Sequence, residues 1–284
     1  MTRRIAAFID ALRLPWAESL ASARRLGVRG VQFTPIGPLA PAVLDAAQRR
    51  GLRAELAAHG LTLTAICGDL GGHGFSRPEE HAWRLAATRA LLDLTVDLGA
   101  EVVSAHVGVI PRDTRHPRWV CLAEALAQVG SDAVARGVRF AIETGPESSA
   151  VLRHLLDQLG SPGLAVNFDP ANLVMVHGEN ALMAWTTLAP WTVHVHVKDG
   201  VRHQPCVAEE VYAAFAEGGF PALEARTGAL FAETALGAGQ VDWPRLLSAI
   251  EASDYCGWLT IERETGTDPA SDIATAITYL EHLP

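Results

Sequence analysis

Carboxylates and histidines recur at the ends of apolar runs in this chain, residue types that could together ligate a divalent cation. Five consecutive runs finish in ionisable or polar residues: SAHVG with His106, AIETG with Glu143, VNFDP with Asp169, HVHVKD with His194, His196 and Lys198, and LTIERE with Glu262. Side chains alternate faces along a strand. His194, His196 and Lys198 therefore share one face, Asn167 and Asp169 another, and Thr260, Glu262 and Glu264 a third. A carboxylate turned into a protein interior costs several kcal/mol unless it is paired or bound to a cation. Three converging carboxylates need a counter-charge, which a divalent metal, Lys198 or nearby arginines can supply. Oxygen-rich ligation with one imidazole suits Mn2+, Co2+, Fe2+ or Zn2+ more than Mg2+ or Ca2+. A lone buried histidine is usually only hydrogen-bonded; several ligand types in phase on neighbouring strands point to a metal.

The elements that must position these residues follow a repeat of apolar run, turn and amphipathic stretch. The runs are Ile5–Ile9, Gly30–Thr34, Leu61–Cys67, Glu101–Val107, Val138–Glu143, Leu164–Asp169, Val193–Lys198 and Trp258–Glu262. Their lack of alternation fits strands covered on both faces, as in a parallel sheet. Helical patterns lie between them: Trp16–Leu26, Ala40–His59, Pro78–Leu98, Arg118–Arg136, Ser148–Leu159, Asn180–Leu188, Trp243–Ala252 and Ser271–Leu280. Gly27, Gly60, Gly99, Gly137 and Gly160 stand where a helix C-cap favours glycine, and Ser148 and Asp242 where an N-cap is expected. Eight strand–helix alternations predict a single (β/α)8 barrel domain over residues 1–284, with the polar residues at the strand C-termini where such barrels carry their sites. No GxGxxG follows the first strand, against a dinucleotide-binding open sheet. Gly200–Gly239 is too long for a plain loop and predicts an extra helix, Ala208–Ala216, and a lid. Gly71 and Gly72 predict a mobile rim or a tight turn after the third strand.

A net charge of −9 argues against a nucleic-acid partner. No run is long and apolar enough for a membrane span, and the N-terminal stretch is interrupted by Asp10 and Arg13, which argues against a signal peptide. Cys67, Cys121, Cys206 and Cys256 are far apart and read as reduced thiols of a cytoplasmic protein. A small-molecule substrate is the expected partner, and homo-oligomerisation is left open. Among 23 Lys and Arg residues Lys198 is the single lysine, suggesting a place where a compact ammonium on a flexible stem is needed.

These residues resemble the xylose-isomerase-like barrel superfamily, which includes sugar-phosphate isomerases and epimerases, hydroxypyruvate isomerases, inosose dehydratases and type-IV apurinic endonucleases. The likeness covers nearly the whole chain and rests on CGDLGGHGF at Cys67–Phe75, ETGPES at Glu143–Ser148, NFDPANL at Asn167–Leu173, HVHVKD at His194–Asp199, LGAGQVDW at Leu236–Trp243 and GWLTIERE at Gly257–Glu264. In the epimerase branch it implies a metal held by Glu143, Asp169, His196 and Glu262. His196 is preferred to His194 because it begins the HxxD spacing that ends at Asp199. Two departures stand out: Asn172 replaces a substrate-binding histidine, and Ala238 an acid between glycines. Only His106 and His73 match the further ligands of the endonuclease branch, which disfavours that branch.

The resemblance implies an isomerase or epimerase that polarises a hydroxy-ketone with a divalent metal. Glu143 and Glu262 would exchange a carbon-bound proton through an enediolate. His106, Lys198, Asn172, Glu147 and Arg202 are the expected substrate contacts. The alternatives are a dehydratase of a polyol ketone, using the same metal and base, and a barrel that binds a ligand without catalysis. No glycine-rich phosphate loop follows the seventh or eighth strand, so phosphate on the substrate is not expected.

Overall fold

The unalternating runs become the staves of a closed parallel barrel in the computed structural model, which describes residues 3–284. In chain order the strands are β1 (Ile5–Phe8), β2 (Gly30–Phe33), β3 (Thr62–Cys67), β4 (Val102–Ala105), β5 (Arg139–Glu143), β6 (Leu164–Phe168), β7 (Thr192–Val197), β8 (Asp199–Arg202), β9 (Phe231–Thr234) and β10 (Leu259–Ile261). The barrel closes in the order β1-β10-β7-β6-β5-β4-β3-β2, while β8 and β9 pair antiparallel outside it. All eight expected runs are therefore barrel strands.

The helices are α1 (Trp16–Leu26), α2 (Ala46–Ala58), α3 (His81–Leu98), α4 (Pro117–Arg136), α5 (Ser149–Leu159), the short turn α6 (Pro170–Asn172), α7 (Ala181–Leu188), α8 (Ala208–Ala216), α9 (Phe220–Thr227), α10 (Trp243–Glu251) and α11 (Pro269–His282). α2 begins at Ala46, later than expected, because Asp45 and Gln48 form a capping box with two 2.8 Å bonds. α3 begins after the 3-10 turn Pro78–Glu80. Asp242 caps α10 through the Arg245 N–H. Ser148 occupies the N-cap of α5 without making a side-chain cap. Instead Glu179 accepts the Ser149 N–H at 3.0 Å and its hydroxyl. All five glycines expected past helix ends have positive φ. Gly99 is representative: at φ 81° it returns its N–H to Val96.

The main core fills the space between sheet and helices, from Ile5 through Phe33, Phe140 and Phe168 to Leu280. A separate small cluster of Ala65, Val102, Ala141 and Ala165 packs apart from it. No helix among the described residues is long and apolar enough to cross a membrane. The four cysteines are free.

The excursion after β7 holds the expected helix Ala208–Ala216, now α8, and also the β8–β9 hairpin and α9. Asp199 closes it. Its carboxylate accepts the backbone N–H groups of Gly200, Gly237, Gly239 and Val241 at 2.9–3.1 Å, so both ends of the excursion are held by one side chain.

Candidate active site and metal centre

Strand register brings the expected ligands together at the C-terminal mouth. Glu143 pairs in register with Asn167, and Thr260 with His196, which sets Glu262 beside the end of β7. Glu143, Asp169, His196 and Glu262 each offer a ligand atom, and these atoms lie within 4.8 Å of one another, all on buried side chains. His196 Nδ1 is 3.0 Å from Glu262, 3.5 Å from Glu143 and 3.9 Å from Asp169. Asp169 is fully buried, and its Oδ2 has no hydrogen-bond partner. An orphaned carboxylate oxygen among two more carboxylates and an imidazole nitrogen is a donor set that suits a divalent cation.

Neighbours hold each ligand in place. Ser104 Oγ and Asn167 Nδ2 donate to Glu143 Oε2 at 3.2 and 3.1 Å, and Asn172 Nδ2 donates to Oε1 at 3.3 Å. The other oxygen of Asp169, Oδ1, accepts the Asn172 N–H at 2.9 Å. Gln32 Oε1 sits 3.0 Å from His196 Nε2 and 2.8 Å from His194 Nε2. An amide oxygen only accepts, so both rings carry a proton on Nε2, and His196 turns Nδ1 to the carboxylates. Lys198 Nζ donates to Glu262 at 3.2 Å and Glu264 at 2.7 Å, and lies 3.9 Å from Asp169.

The electrostatics follow from crowding. Burial opposes charge on every member of the cluster. For Glu262 the cations His196 and Lys198 outweigh burial and hold its pKa far below the usual range; for Glu143 His196 and His106 lower it. Asp169 is the member that gives way: burial pushes it up to about 8, against the pull of Lys198. His196 and Lys198 are raised despite burial by the carboxylates around them. His106 resists burial through Glu143 and Asp69, the latter 3.0 Å from its Nδ1, and stays protonated up to about 9.

The cluster opens onto a cavity of about 1200 Å3. Glu143 and Glu262 line it, as do His106, Lys198 and Asn172; Asp169 and His196 stand behind them. Gly71 and Gly72 form part of its rim, each at φ 65°. Arg202 and Glu147, both expected at the substrate, are not on its wall. Arg202 runs back along its own hairpin, its guanidinium against Gly178 and the Gln204 carbonyl. Glu147 is 4% exposed with both carboxylate oxygens unpartnered. Burial raises it to about 8.

Other contributors escaped the sequence reading. Gln32 interrupts the apolar run GVQF, and that single polar residue was the available signal. Asp69 follows the end of β3, like the residues that were recognised. Tyr212, Phe215 and Phe220 come from the α8–α9 excursion, where no strand phase points at the mouth.

With this geometry in view, the profile of the xylose isomerase-like TIM barrel family matches residues 20–283. The chain belongs to the xylose isomerase-like TIM barrel family. An inosose dehydratase of Bacillus thuringiensis (strain Al Hakam) is 29% identical over 156 residues, covering 54% of this chain and 48% of that protein. An inosose dehydratase of Lacticaseibacillus casei is 26% identical over 169 residues, covering 58% and 53%. The matches span about half the length of these curated relatives. A xylose isomerase domain protein from Planctomyces limnophilus superposes with a TM-score of 0.80 at 25% identity, covering 99% of this chain and 96% of that one. An L-ribulose 3-epimerase, at 19% identity and a TM-score of 0.73 over 99% and 94% of the two chains, shares the fold. Dehydratases stand among its sequence relatives and an epimerase shares its fold, so the fold alone does not choose between the two chemistries.

Proposed function

We propose that this protein is a metal-dependent enzyme that removes a proton from the carbon beside the ketone of a sugar or polyol ketone, as an isomerase or epimerase. One observation carries this: of the four clustered ligands, the two that line the cavity are both glutamates, Glu143 and Glu262. Glu143, Asp169, His196 and Glu262 would hold the ion, which when bound supplies Lewis acidity towards a ketone oxygen. Glu143 and Glu262 take and return the carbon-bound proton through an enediolate. His196 and Lys198 keep Glu262 ionised. His106 and Asn172 face the same space and donate to substrate hydroxyls.

The dehydratase reading has its own support in the relatives named inosose dehydratases. It shares the proton abstraction and then expels hydroxide, for which protonated His106 is the donor on the wall. Metal analysis of the purified protein, followed by a ketose and polyol-ketone panel in deuterated water, separates the two. Deuterium entering a ketose beside its carbonyl supports the isomerase or epimerase. A new enone absorbance with inositol-type ketones supports the dehydratase. A metal-loaded protein that gives neither is a binding barrel, and the proposal fails.

A further inference from the structure

The cavity is larger, and one side of it more aromatic, than a single sugar ring needs. Small-molecule pockets usually enclose roughly 300–1000 Å3, and this one holds about 1200 Å3. A row of rings leads outward from the cluster. His106, whose Nε2 is 3.8 Å from Glu143, lies 5.6 Å from Tyr212 between ring centroids; Tyr212 lies 6.5 Å from Phe215, and Phe215 stacks on Phe220 at 4.2 Å and 11°. All line the cavity. Phe215 is nonetheless 53% exposed, an apolar ring held open at the mouth. Such a surface is matched by a second ring with an apolar face.

Charge rules on what that ring carries. Arg77 and Arg118, the arginines on the cavity wall, each lie within 4.0 Å of a glutamate: Glu80 and Glu217 for Arg77, Glu209 for Arg118. Lys198 is likewise paired with Glu262 and Glu264. The cations on the cavity wall are thus all paired, and Glu209, Glu224 and Glu233 stand on it as well, so the wall offers no free cation to a phosphate and suits an uncharged group better.

We infer that the substrate is a glycoside of two rings. A keto-sugar ring sits at the metal cluster and a neutral second ring lies against Tyr212 and Phe215, with Phe220 stacked on Phe215. This rests on the cluster being the seat of the ketone. In a glycoside the anomeric carbon is tied up, so the ketone belongs to the ring itself.

The test uses the metal-loaded protein and three inert probes in which the ketone is a hydroxyl: methyl β-D-glucoside, phenyl β-D-glucoside and cellobiose. Calorimetric dissociation constants are compared for wild type and Phe215→Ala, an exposed position whose replacement leaves the core intact. Phenyl glucoside, cellobiose or both should bind about tenfold tighter than methyl glucoside, and Phe215→Ala should narrow that ratio. Preference for phenyl glucoside alone assigns an aromatic aglycone, and preference for cellobiose a second sugar. Equal affinity for all three, no binding of any, or a ratio untouched by Phe215→Ala overturns the inference. A preserved ratio in a protein that exchanges no deuterium would instead sink the proton-transfer reading and leave the two-ring platform standing.

Discussion

Gln32 on β2 and His196 on β7 meet across the barrel, with the amide oxygen 3.0 Å from Nε2 of the imidazole. That contact fixes which nitrogen carries the proton and so which one faces Glu262, Glu143 and Asp169. It makes Gln32 the orienting partner of a metal-binding histidine. Replacing such partners typically costs about 10–100-fold in metal affinity. Gln32→Leu should lose affinity by that order in a competition with a fluorescent chelator. Unchanged affinity would show that ring orientation is set elsewhere.

Glu262→Gln keeps the shape of the side chain and removes its basicity. Turnover should fall by about 100-fold or more, while metal analysis still finds the ion partly bound. Steady-state rates near wild type would remove Glu262 from the chemistry.

Lys198 neutralises Glu262 and Glu264 from a buried position. Arginine carries the same charge on a wider, planar head that this crowded strand face does not accommodate. Lys198→Arg should reduce activity far more than an Arg→Lys change on a helix surface such as Arg153→Lys. Lys198→Met should destabilise the metal-free protein by roughly 3 kcal/mol, because it takes the ammonium away from the buried carboxylates of Glu262 and Asp169. Added divalent metal should recover much of that loss in thermal melts. Equal tolerance of all three changes would make the lone lysine incidental.

Metal affinity should depend on pH with a definite sign. Protons on His196 and Asp169 compete with the ion for the same lone pairs. Affinity should rise with pH as these protons are lost, through about 8 for Asp169 and further as His196, which the carboxylates also raise, gives up its own. Titrations in buffers of different ionisation enthalpy should register proton release on binding. Pairing with no proton release would mean the ion binds elsewhere.

Glu147 gives a stability prediction independent of catalysis. Its folded pKa is raised by burial from 4.5 to about 8. A carboxyl raised in the folded state favours folding while protonated, and that contribution is lost as pH climbs from 4.5 through about 8. Glu147→Gln supplies a permanently neutral group of the same size. The variant should match wild type near pH 4 and exceed it by a few kcal/mol at pH 9. Denaturation midpoints that keep a constant offset between the two across this range would refute it.

Strand phase made the barrel and most of its polar mouth legible, because alternation ties the direction of every side chain to its neighbours. Asp169, His196 and Glu262 could thus be assigned to the polar faces of their strands from the sequence. Where the chain leaves that regular phase, the direction of a side chain is no longer legible. Arg202 lies on the β8–β9 hairpin, whose direction no barrel strand dictates. Glu147 sits beyond the end of β5, in the turn containing Gly145 at φ 145°, and there the β alternation no longer applies. The aromatic wall is helical and belongs to the same excursion. Gln32 was hidden differently, as one polar residue in a run that otherwise spelled an ordinary core strand.

Asp199 has a consequence for descent. Because one carboxylate receives the returning chain at Gly237, Gly239 and Val241, both ends of the excursion are anchored independently of the residues between β8 and β9. Substitutions, insertions or deletions between Arg202 and Phe231 can remake what the cavity welcomes while β5, β6, β7 and β10 go on presenting the same four ligands. Members of this family could diverge in diet by rewriting that stretch alone, and chimaeras exchanged at those two residues are where such divergence can be read.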